Sequence, residues 1–451
     1  MTIESQLMRL GLFDARVPRY TSYPTAPNFS ASVDEAAFGG WIDQIPPASQ
    51  VSLYIHVPFC SRLCWFCACR TQGTRSAGPV RAYLDTLKEE IAQLGRRLPE
   101  GLRLARLHWG GGTPTLLSAD MMRELADAIF AVLPLAENAE FSVEIDPNEI
   151  DAGRLDALAA AGMNRASIGV QDFDPEIQSV IGRIQSYEVT RDAAQMIRDR
   201  GIASLNADIL FGLPHQTKER IADSVQKLLT LAPDRVALYG YAHVPWMAKR
   251  QQMIPSEALP TPEERLGLFE TARRLFLWDN YHEIGIDHFA RAGDGLEIAQ
   301  RTGRLRRNFQ GYTDDTSEVL IGLGASSISR FPGGYAQNLA ATSEYTGRIR
   351  EGRFATGRGH VFSEDDRLRA RLIEALMCDF RIDAAEIRAR FGIAEEKLKE
   401  LFHTVASGFP DMIDLRSGGF AIPPHARPLT RMIARGFDAY DLSNAGHSSA
   451  I

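Results

Sequence analysis

At 451 residues, 45% of them hydrophobic and with a formal net charge of −7, the chain has the length for one large core plus a smaller one and the composition of an ordinary globular protein. The acidic balance argues against general nucleic-acid affinity, so an anionic ligand has to be met by a local basic pocket. No uncharged apolar run approaches the roughly 20 residues that span a bilayer, and the start, Met1 to Gln6, lacks the basic flank and apolar core of a signal peptide, so a cytoplasmic protein is expected.

Residues 1–50 are expected to form an N-terminal arm. Tyr20 and Tyr23 lie between prolines there, and the arm reads either as a cover over a reaction site or as a segment packed on the body. A strand at 53–57 follows, and directly after it come Cys60, Cys64, Cys67 and Cys69, four of the five cysteines of the chain. Such density points to metal. Structural zinc normally takes its ligands as two separated pairs, and disulfides need an oxidising compartment, so an iron-sulfur cluster is the favoured reading and zinc the lesser one. Three thiolates at i, i+4 and i+7 occupy three corners of a cubane and leave the fourth iron open to another ligand. Cys69 is offset by two from Cys67, which makes it a poor fourth ligand; it reads either as a small buried hydrophobe or as a donor near the substrate.

Beyond the cysteines, strands at 53–57, 104–109, 141–145, 166–170, 206–211 and 236–241 alternate with helical patterns at 82–98, 119–133, 151–161, 187–200, 217–231 and 262–278. Each crossover is long enough for a helix, which implies parallel strands with right-handed connections. Six units are fewer than the eight of a closed barrel, so an α/β fold is predicted, an open (β/α)6 partial barrel over 51–330 with its site at the C-terminal strand ends. Segments 283–288 and 319–323 are candidate extensions of the sheet.

Those strand ends carry polar residues that packing alone does not need. Gly110 to Thr115 follows the second strand, where glycine lets a ligand approach the backbone or simply makes a turn. On the third strand, period-2 alternation sends Phe141, Val143 and Ile145 to one face and Ser142, Glu144 and Asp146 to the other. Gln171, Arg183 and Asp208 follow the same logic, pointing from successive strands towards one mouth. A connecting segment at 331–362 is expected to lead to a small C-terminal domain at 363–442. Its Ser363 cap, helices through 368–378, 384–391 and 395–407, and a hairpin at 412–422 turning at Ser417 to Gly419 suggest a mostly helical, winged-helix-like unit. Without a basic stripe it reads as a lid or substrate-facing domain rather than a DNA binder. Cys378 reads as a core residue, and the tail 443–451 as disordered.

The spacing C-x3-C-x2-C, with Phe66 before the third cysteine, resembles the signature of radical S-adenosylmethionine enzymes. The likeness narrows with Pro18 to Ala26, His56 to Cys60, His108 to Thr115, Gly169 to Phe173, Asp287 to Arg291 and Arg307 to Tyr312, which together resemble the oxygen-independent coproporphyrinogen III oxidases over most of the chain. A related haem chaperone, or another porphyrin-handling relative, is the alternative; it usually lacks the fourth cysteine and the N-terminal extension.

What the resemblance implies is a [4Fe-4S] cluster on Cys60, Cys64 and Cys67, and S-adenosyl-L-methionine contacted by Tyr54, Gly111, Gly112, Thr113, Glu144, Gln171, Arg183, Asp208, Ala242 and Ile328. The implied reaction takes a hydrogen atom from the β-carbon of a propionate by way of a 5'-deoxyadenosyl radical, then loses carbon dioxide and one electron to leave a vinyl group. Done twice, it turns coproporphyrinogen III into protoporphyrinogen IX. Cys69 would act catalytically, and Arg19, Tyr20, Tyr23, Arg291, Arg306 and Arg307 are candidate substrate contacts. A flavodoxin- or ferredoxin-type electron donor and a monomeric enzyme are expected.

Overall fold

The computed structural model describes residues 3–416, 418–441 and 448–451. Six parallel strands form the centre: β1 (Gln50–Val57), β2 (Arg103–Gly111), β3 (Leu135–Ile145), β4 (Arg165–Gln171), β5 (Ser204–Phe211) and β6 (Arg235–Gly240). The helices covering them are α1 (Ala77–Gly95), α2 (Ala119–Val132), α3 (Ala152–Ala160), α4 (Tyr187–Arg198), α5 (Lys218–Thr230) and α6 (Pro262–Trp278). Their starts are set locally. The side chains of Ser118, Asp151, Ser186 and Thr217 each accept from a backbone amide three residues on, and Thr261 and Glu264 form a reciprocal capping box ahead of α6.

Parallel strands covered by helices bury both faces. Outward residues such as Leu53, Ile55, Leu107, Trp109, Phe141, Val143 and Ile168 pack against the helices and are at most 2% exposed. The inward face is polar instead. At its foot Arg106 meets Asp314 at 2.7 Å, Arg165 meets Glu140 at 2.7 Å, and Arg235 meets Asp294 at 2.6 Å. This belt closes one end of the partial barrel with paired charges, as burial demands, and leaves the other end for chemistry.

The sheet runs further than expected on both sides. Segment 283–288 is not one strand but two, β7 (His282–Ile284) and β8 (His288–Ala290), which turn back through Gly285 and pair antiparallel. On the other side β9 (Leu320–Leu323) pairs parallel with β1 and leads into antiparallel β10 (Ile328–Phe331), β11 (Gly334–Asn338) and β12 (Thr356–Val361). The twelve strands lie in the order β12-β11-β10-β9-β1-β2-β3-β4-β5-β6-β8-β7. Residues 331–362, expected to be a connection, therefore supply two strands of the sheet with the helix Thr342–Arg350 between them.

A second hydrophobic core joins Leu372, Leu376, Ile387, Phe402, Phe420, Ile433 and Phe437 of the C-terminal region to Leu7, Leu12, Phe13, Val17, Tyr20 and Tyr23 of the arm. The arm thus divides: its first part belongs to the C-terminal domain, while Phe38 and Ile42 of the helix Glu35–Asp43 pack on the barrel core. Helix α7 (Glu364–Asp379) begins with the capping box of Ser363 and Asp366, and Arg381–Asp383 pairs with Gly419–Ala421 beside the helices Ala384–Phe391 and Glu395–Ser407. Asp414 and Ala421 bridge the flanks of the expected hairpin, whose turn residue Ser417 lies outside the described residues. Cys378 is fully buried beside Tyr312 and Leu305. Of the tail, residues 442–447 lie outside the described residues, but 448–451 pack inward: Ser449 bridges Arg16 and Ala450 is 5% exposed. Among the described residues no helix is long and apolar enough to cross a membrane.

Candidate active site

Strand β1 delivers the chain to a closed loop. Phe59–Cys60 pairs in parallel with Gln72–Gly73, the amide of Gln72 donating to Pro58 O at 2.8 Å and that of Thr74 to Cys60 O at 2.9 Å. The neck holds Cys60, and the loop it closes carries Cys64, Cys67 and Cys69. Among the bonds that tie the loop to the barrel, Trp65 N donates to Ile181 O at 2.9 Å, and Gln251 Nε2 to Phe66 O at 2.7 Å.

The thiols act on one another. Burial pushes Cys60 up, opposed by hydrogen bonds with Thr113 and Thr71. The hydrogen bond with Cys69 draws Cys67 down to about 6, and the same contact raises Cys69 well above the ordinary thiol range. Cys69 is open to solvent on one side, yet its thiol also senses Glu144 and Cys60. Beside the loop, Arg183 Nη1 lies 3.7 Å from Cys64 Sγ and 3.3 Å from Asp146 Oδ2, while Nη2 donates to Gly169 O at 3.0 Å and Gln185 Oε1 at 2.9 Å. This sets a guanidinium directly beside the Cys64 sulfur. Among the described residues no three His, Cys, Asp or Glu side chains converge on a single-ion site. A cubane does not ask for that, since each thiolate holds its own iron at a separate corner. Three mutually interacting thiols, a cation beside one of them and a necked loop fit such a cluster.

Next to the loop, the strand ends bring most of the expected contacts together. Tyr54 stacks on His108 with ring centroids 5.7 Å apart and meets His56 Nδ1 through its hydroxyl at 3.0 Å. Glu144 is held by the amide of Gly111 at 3.1 Å and by His108 at 3.4 Å, and these contacts keep its carboxyl below the usual range despite burial. The glycines are required. A Cβ at Gly111, whose φ is +116°, would stand 2.7 Å from the His56 ring, and one at Gly112 would stand 2.5 Å from Phe59 O. Thr113 N donates to Phe59 O at 2.7 Å, and Gln171 sits at φ +69° where β4 ends. Asp208 accepts from Asn206 at 2.9 Å, and burial raises it to about 6. Ala242 O accepts from Gln251 at 3.0 Å. Ile328 crosses over Gly322, the residue registered with Tyr54, its carbonyl oxygen 2.6 Å from where a Cβ on that glycine would lie.

The expected substrate contacts separate. Arg19 and Arg307 come together around Asp287: Arg19 donates to Gly240 O at 2.6 Å, and Arg307 lies 3.8 Å from Asp287 Oδ2 with its guanidinium 4.5 Å over Tyr312. Both line a cavity of about 600 Å³ that also takes in Tyr239, Tyr241 and helix α6. Tyr20 and Tyr23 do not face it. Their hydroxyls bond Asp438 at 2.9 Å and the amide of Ala439 at 3.0 Å, and both are 4% exposed, so they clamp the arm to the C-terminal domain. Arg291 follows β8, which runs antiparallel to β6, and therefore lies at the foot, its amide on Asp234 O at 3.0 Å and its side chain on Tyr281. Arg306 turns towards Glu374 on α7 and its own loop carbonyls. Sequence reasoning missed His56, His108, Tyr239 and Asp287. The period-2 alternation applied to the third strand holds equally for His56, His108 and Tyr239, and marks them as inward.

The Radical SAM superfamily profile matches residues 54–228. The chain is 68% identical over 451 residues to an oxygen-independent coproporphyrinogen III oxidase of Paracoccus denitrificans, covering 100% of both, and 38% identical over 430 residues to that of Escherichia coli, covering 94% of this chain and 93% of the relative. The crystallised coproporphyrinogen III oxidase of Escherichia coli, described as a radical SAM enzyme, superimposes with a TM-score of 0.88 at 36% identity, covering 95% of this chain and 100% of that one.

Proposed function

Since the chain belongs to the oxygen-independent coproporphyrinogen III oxidases, radical S-adenosylmethionine enzymes of haem biosynthesis, we propose that it removes carbon dioxide from two propionates of coproporphyrinogen III to give protoporphyrinogen IX. The observation that carries this is the necked cysteine loop set directly against the polar mouth of the partial barrel. When bound, the cluster and S-adenosylmethionine supply hydrogen-atom abstraction without molecular oxygen. At each propionate a hydrogen atom leaves the β-carbon, the carboxylate leaves as carbon dioxide, and one electron passes to an acceptor, so a vinyl group remains.

Each part of the chain has a task. Cys60, Cys64 and Cys67 would hold the cluster, with the Arg183 guanidinium beside Cys64. Gly111 and Gly112 admit the cofactor close to the backbone, where Thr113 follows, and Glu144 and Asp208 offer carboxylates to its amino and hydroxyl groups. Tyr54, Gln171, Ala242 and Ile328 line the same mouth. Arg19 and Arg307 meet substrate carboxylates. Cys69, open to solvent and beside Cys67, stands next to the reacting end, where we assign it hydrogen or proton delivery. The C-terminal domain, with the first part of the arm built into its core, excludes water from the mouth. A low-potential donor of flavodoxin or ferredoxin type, a monomeric state and a cytoplasmic location complete the reading, the last supported by a cluster whose thiols need a reducing compartment.

The test is an anaerobic incubation of the cluster-reconstituted protein with coproporphyrinogen III, S-adenosylmethionine and a reductant, read by mass spectrometry. Two losses of carbon dioxide with matching 5'-deoxyadenosine establish the reaction. Unchanged porphyrinogen alongside cofactor cleavage overturns the substrate, and tight haem binding without either product overturns the reaction class.

A further inference from the structure

The cavity of about 600 Å³ between β6, helix α6 and the C-terminal domain holds more positive charge than its fold uses. Some of its wall is balanced: Glu283 meets Arg273 at 2.8 Å and Arg427 at 2.8 Å. Arg19, Arg265 and Arg431 are different, because among the described residues the hydrogen-bond acceptors of all three are main-chain oxygens, and Arg265 adds only the Phe211 ring at 5.6 Å. Arg265 donates to Gly212, Tyr241 and Ile451 at 3.3, 2.9 and 3.1 Å. Arg431 donates to Val17, Pro18, Ser449 and Ala450 at 2.5 to 3.1 Å. Arg307 completes the group. Its side chain is 5% exposed, and among the described residues its one side-chain ion pair is with Asp287 at 3.8 Å and its Nε and Nη1 find no hydrogen-bond partner.

Arg19, Arg307 and Arg431 gather on the Asp287 carboxylate, and Arg265 stands beside Arg19, so the site is electrostatically unfinished. Burial together with the neighbouring arginines makes the charged form of Arg265 and Arg431 harder to hold. A buried donor without a partner is costly to leave so, and a carboxylate is the group whose geometry best answers a guanidinium fork. The site is continuous with the reaction mouth. Along the end of β6, Tyr239 faces Asp208 inside the barrel, Gly240 O takes Arg19, and Tyr241 O takes Arg265.

We propose that Arg265 and Arg431, acting with Arg19 and Arg307, form the carboxylate-anchoring subsite for the tetrapyrrole propionates, and that carbonyls of residues 449–451 hold this place until the ligand's carboxylates displace them. The proposal rests on coproporphyrinogen III being the substrate. It adds two anchors from α6 and the C-terminal domain, and explains why those two regions meet at the mouth.

The probe is coproporphyrin III, the fluorescent oxidised form of the substrate with all four carboxylates, titrated anaerobically against the full-length cluster-loaded protein. Arg265→Gln and Arg431→Gln are each expected to weaken binding about tenfold or more, the loss of one charge-assisted contact, whereas Arg353→Gln, an exposed residue paired with Glu35, leaves it unchanged. The tetramethyl ester of the same porphyrin binds wild type and both variants alike. Should a variant fold poorly, wild-type protein is labelled with phenylglyoxal and digested for mass spectrometry; coproporphyrin III is expected to protect Arg265 and Arg431 severalfold, and the ester to protect neither. Undiminished affinity in folded variants, or equal labelling with and without coproporphyrin III, overturns the subsite while leaving the reaction standing. Absence of coproporphyrin III binding by wild type overturns both.

Discussion

Glu90 lies on α1, fully inside the protein, and accepts hydrogen bonds from the amide of Gly324, the side-chain amide of Asn338 and the hydroxyl of Tyr345, each at 2.7 Å. Nearby, Tyr83 donates to His56 O at 2.8 Å and accepts from Ala325 N at 2.9 Å. This knot pins the turn that leads to Ile328 and the end of β1 that leads to the cysteine loop. Burial outweighs the three donors and raises the Glu90 carboxyl from the ordinary 4.5 to about 7. A raised carboxyl stabilises the fold where it is protonated. Its contribution is fully present below about pH 4.5 and is lost as pH rises through about 7. At about 1.4 kcal/mol per pH unit the loss amounts to about 3 kcal/mol. Glu90→Gln keeps the size and most of the acceptors but cannot titrate. We expect urea unfolding of wild type, followed between pH 4.5 and 8, to lose on the order of 3 kcal/mol more than the variant does over the same range. Because Asp208 and Asp379 are also raised to about 6, the difference between the two proteins is the quantity to read. Parallel curves for both would refute the reasoning.

Three further outcomes follow from the site. Gly112→Ala places a methyl group 2.5 Å from Phe59 O, a backbone atom that cannot step aside; iron and sulfide per chain should fall by half or more after reconstitution (order of magnitude from the forced backbone shift), and full loading would contradict the cradle. With Cys69 assigned to the reaction and not to the cluster, Cys69→Ser should load iron normally yet lose vinyl formation roughly tenfold or more as expected of a group that moves a proton in the reaction; lost iron would make it a ligand instead. Asp208, raised to about 6 by burial, offers two charged acceptor oxygens only when ionised, so affinity for S-adenosylmethionine should fall as pH drops below that value, by up to about tenfold per pH unit, and Asp208→Asn should bind weakly at every pH. Equilibrium dialysis between pH 5 and 8 separates the two cases.

Much of the barrel was legible because its strands each carry an apolar outward face packed under a helix, and its helices carry caps that act locally, as Ser118 and Thr261 do. The cysteine spacing is likewise local, so the loop was readable as a cluster loop before its neck was seen. What the sequence hid depends on long-range pairing. Nothing near Arg291 announces that β8 runs antiparallel to β6 and carries it to the foot, and the turn at Gly285 splits what looks like one strand. Strands added beyond the parallel six, such as β11, Gly334–Asn338, are weak in apolar pattern and gain their place from hydrogen bonding to neighbours. Tyr20 and Tyr23 looked like site residues because they sit among prolines, but their hydroxyls serve Asp438 and Ala439, more than four hundred residues away in the chain. Arg265 and Arg431 were missed for the same reason, since they join Arg19 and Arg307 only when the arm, α6 and the C-terminal domain are assembled.

The most direct test of the central claim uses coproporphyrinogen III deuterated at the β-carbons of its propionates, in a single anaerobic turnover with cluster-loaded protein. The account predicts that deuterium appears in 5'-deoxyadenosine in step with each vinyl group formed, and that Cys64→Ala abolishes both. Vinyl formation accompanied by unlabelled 5'-deoxyadenosine would contradict it.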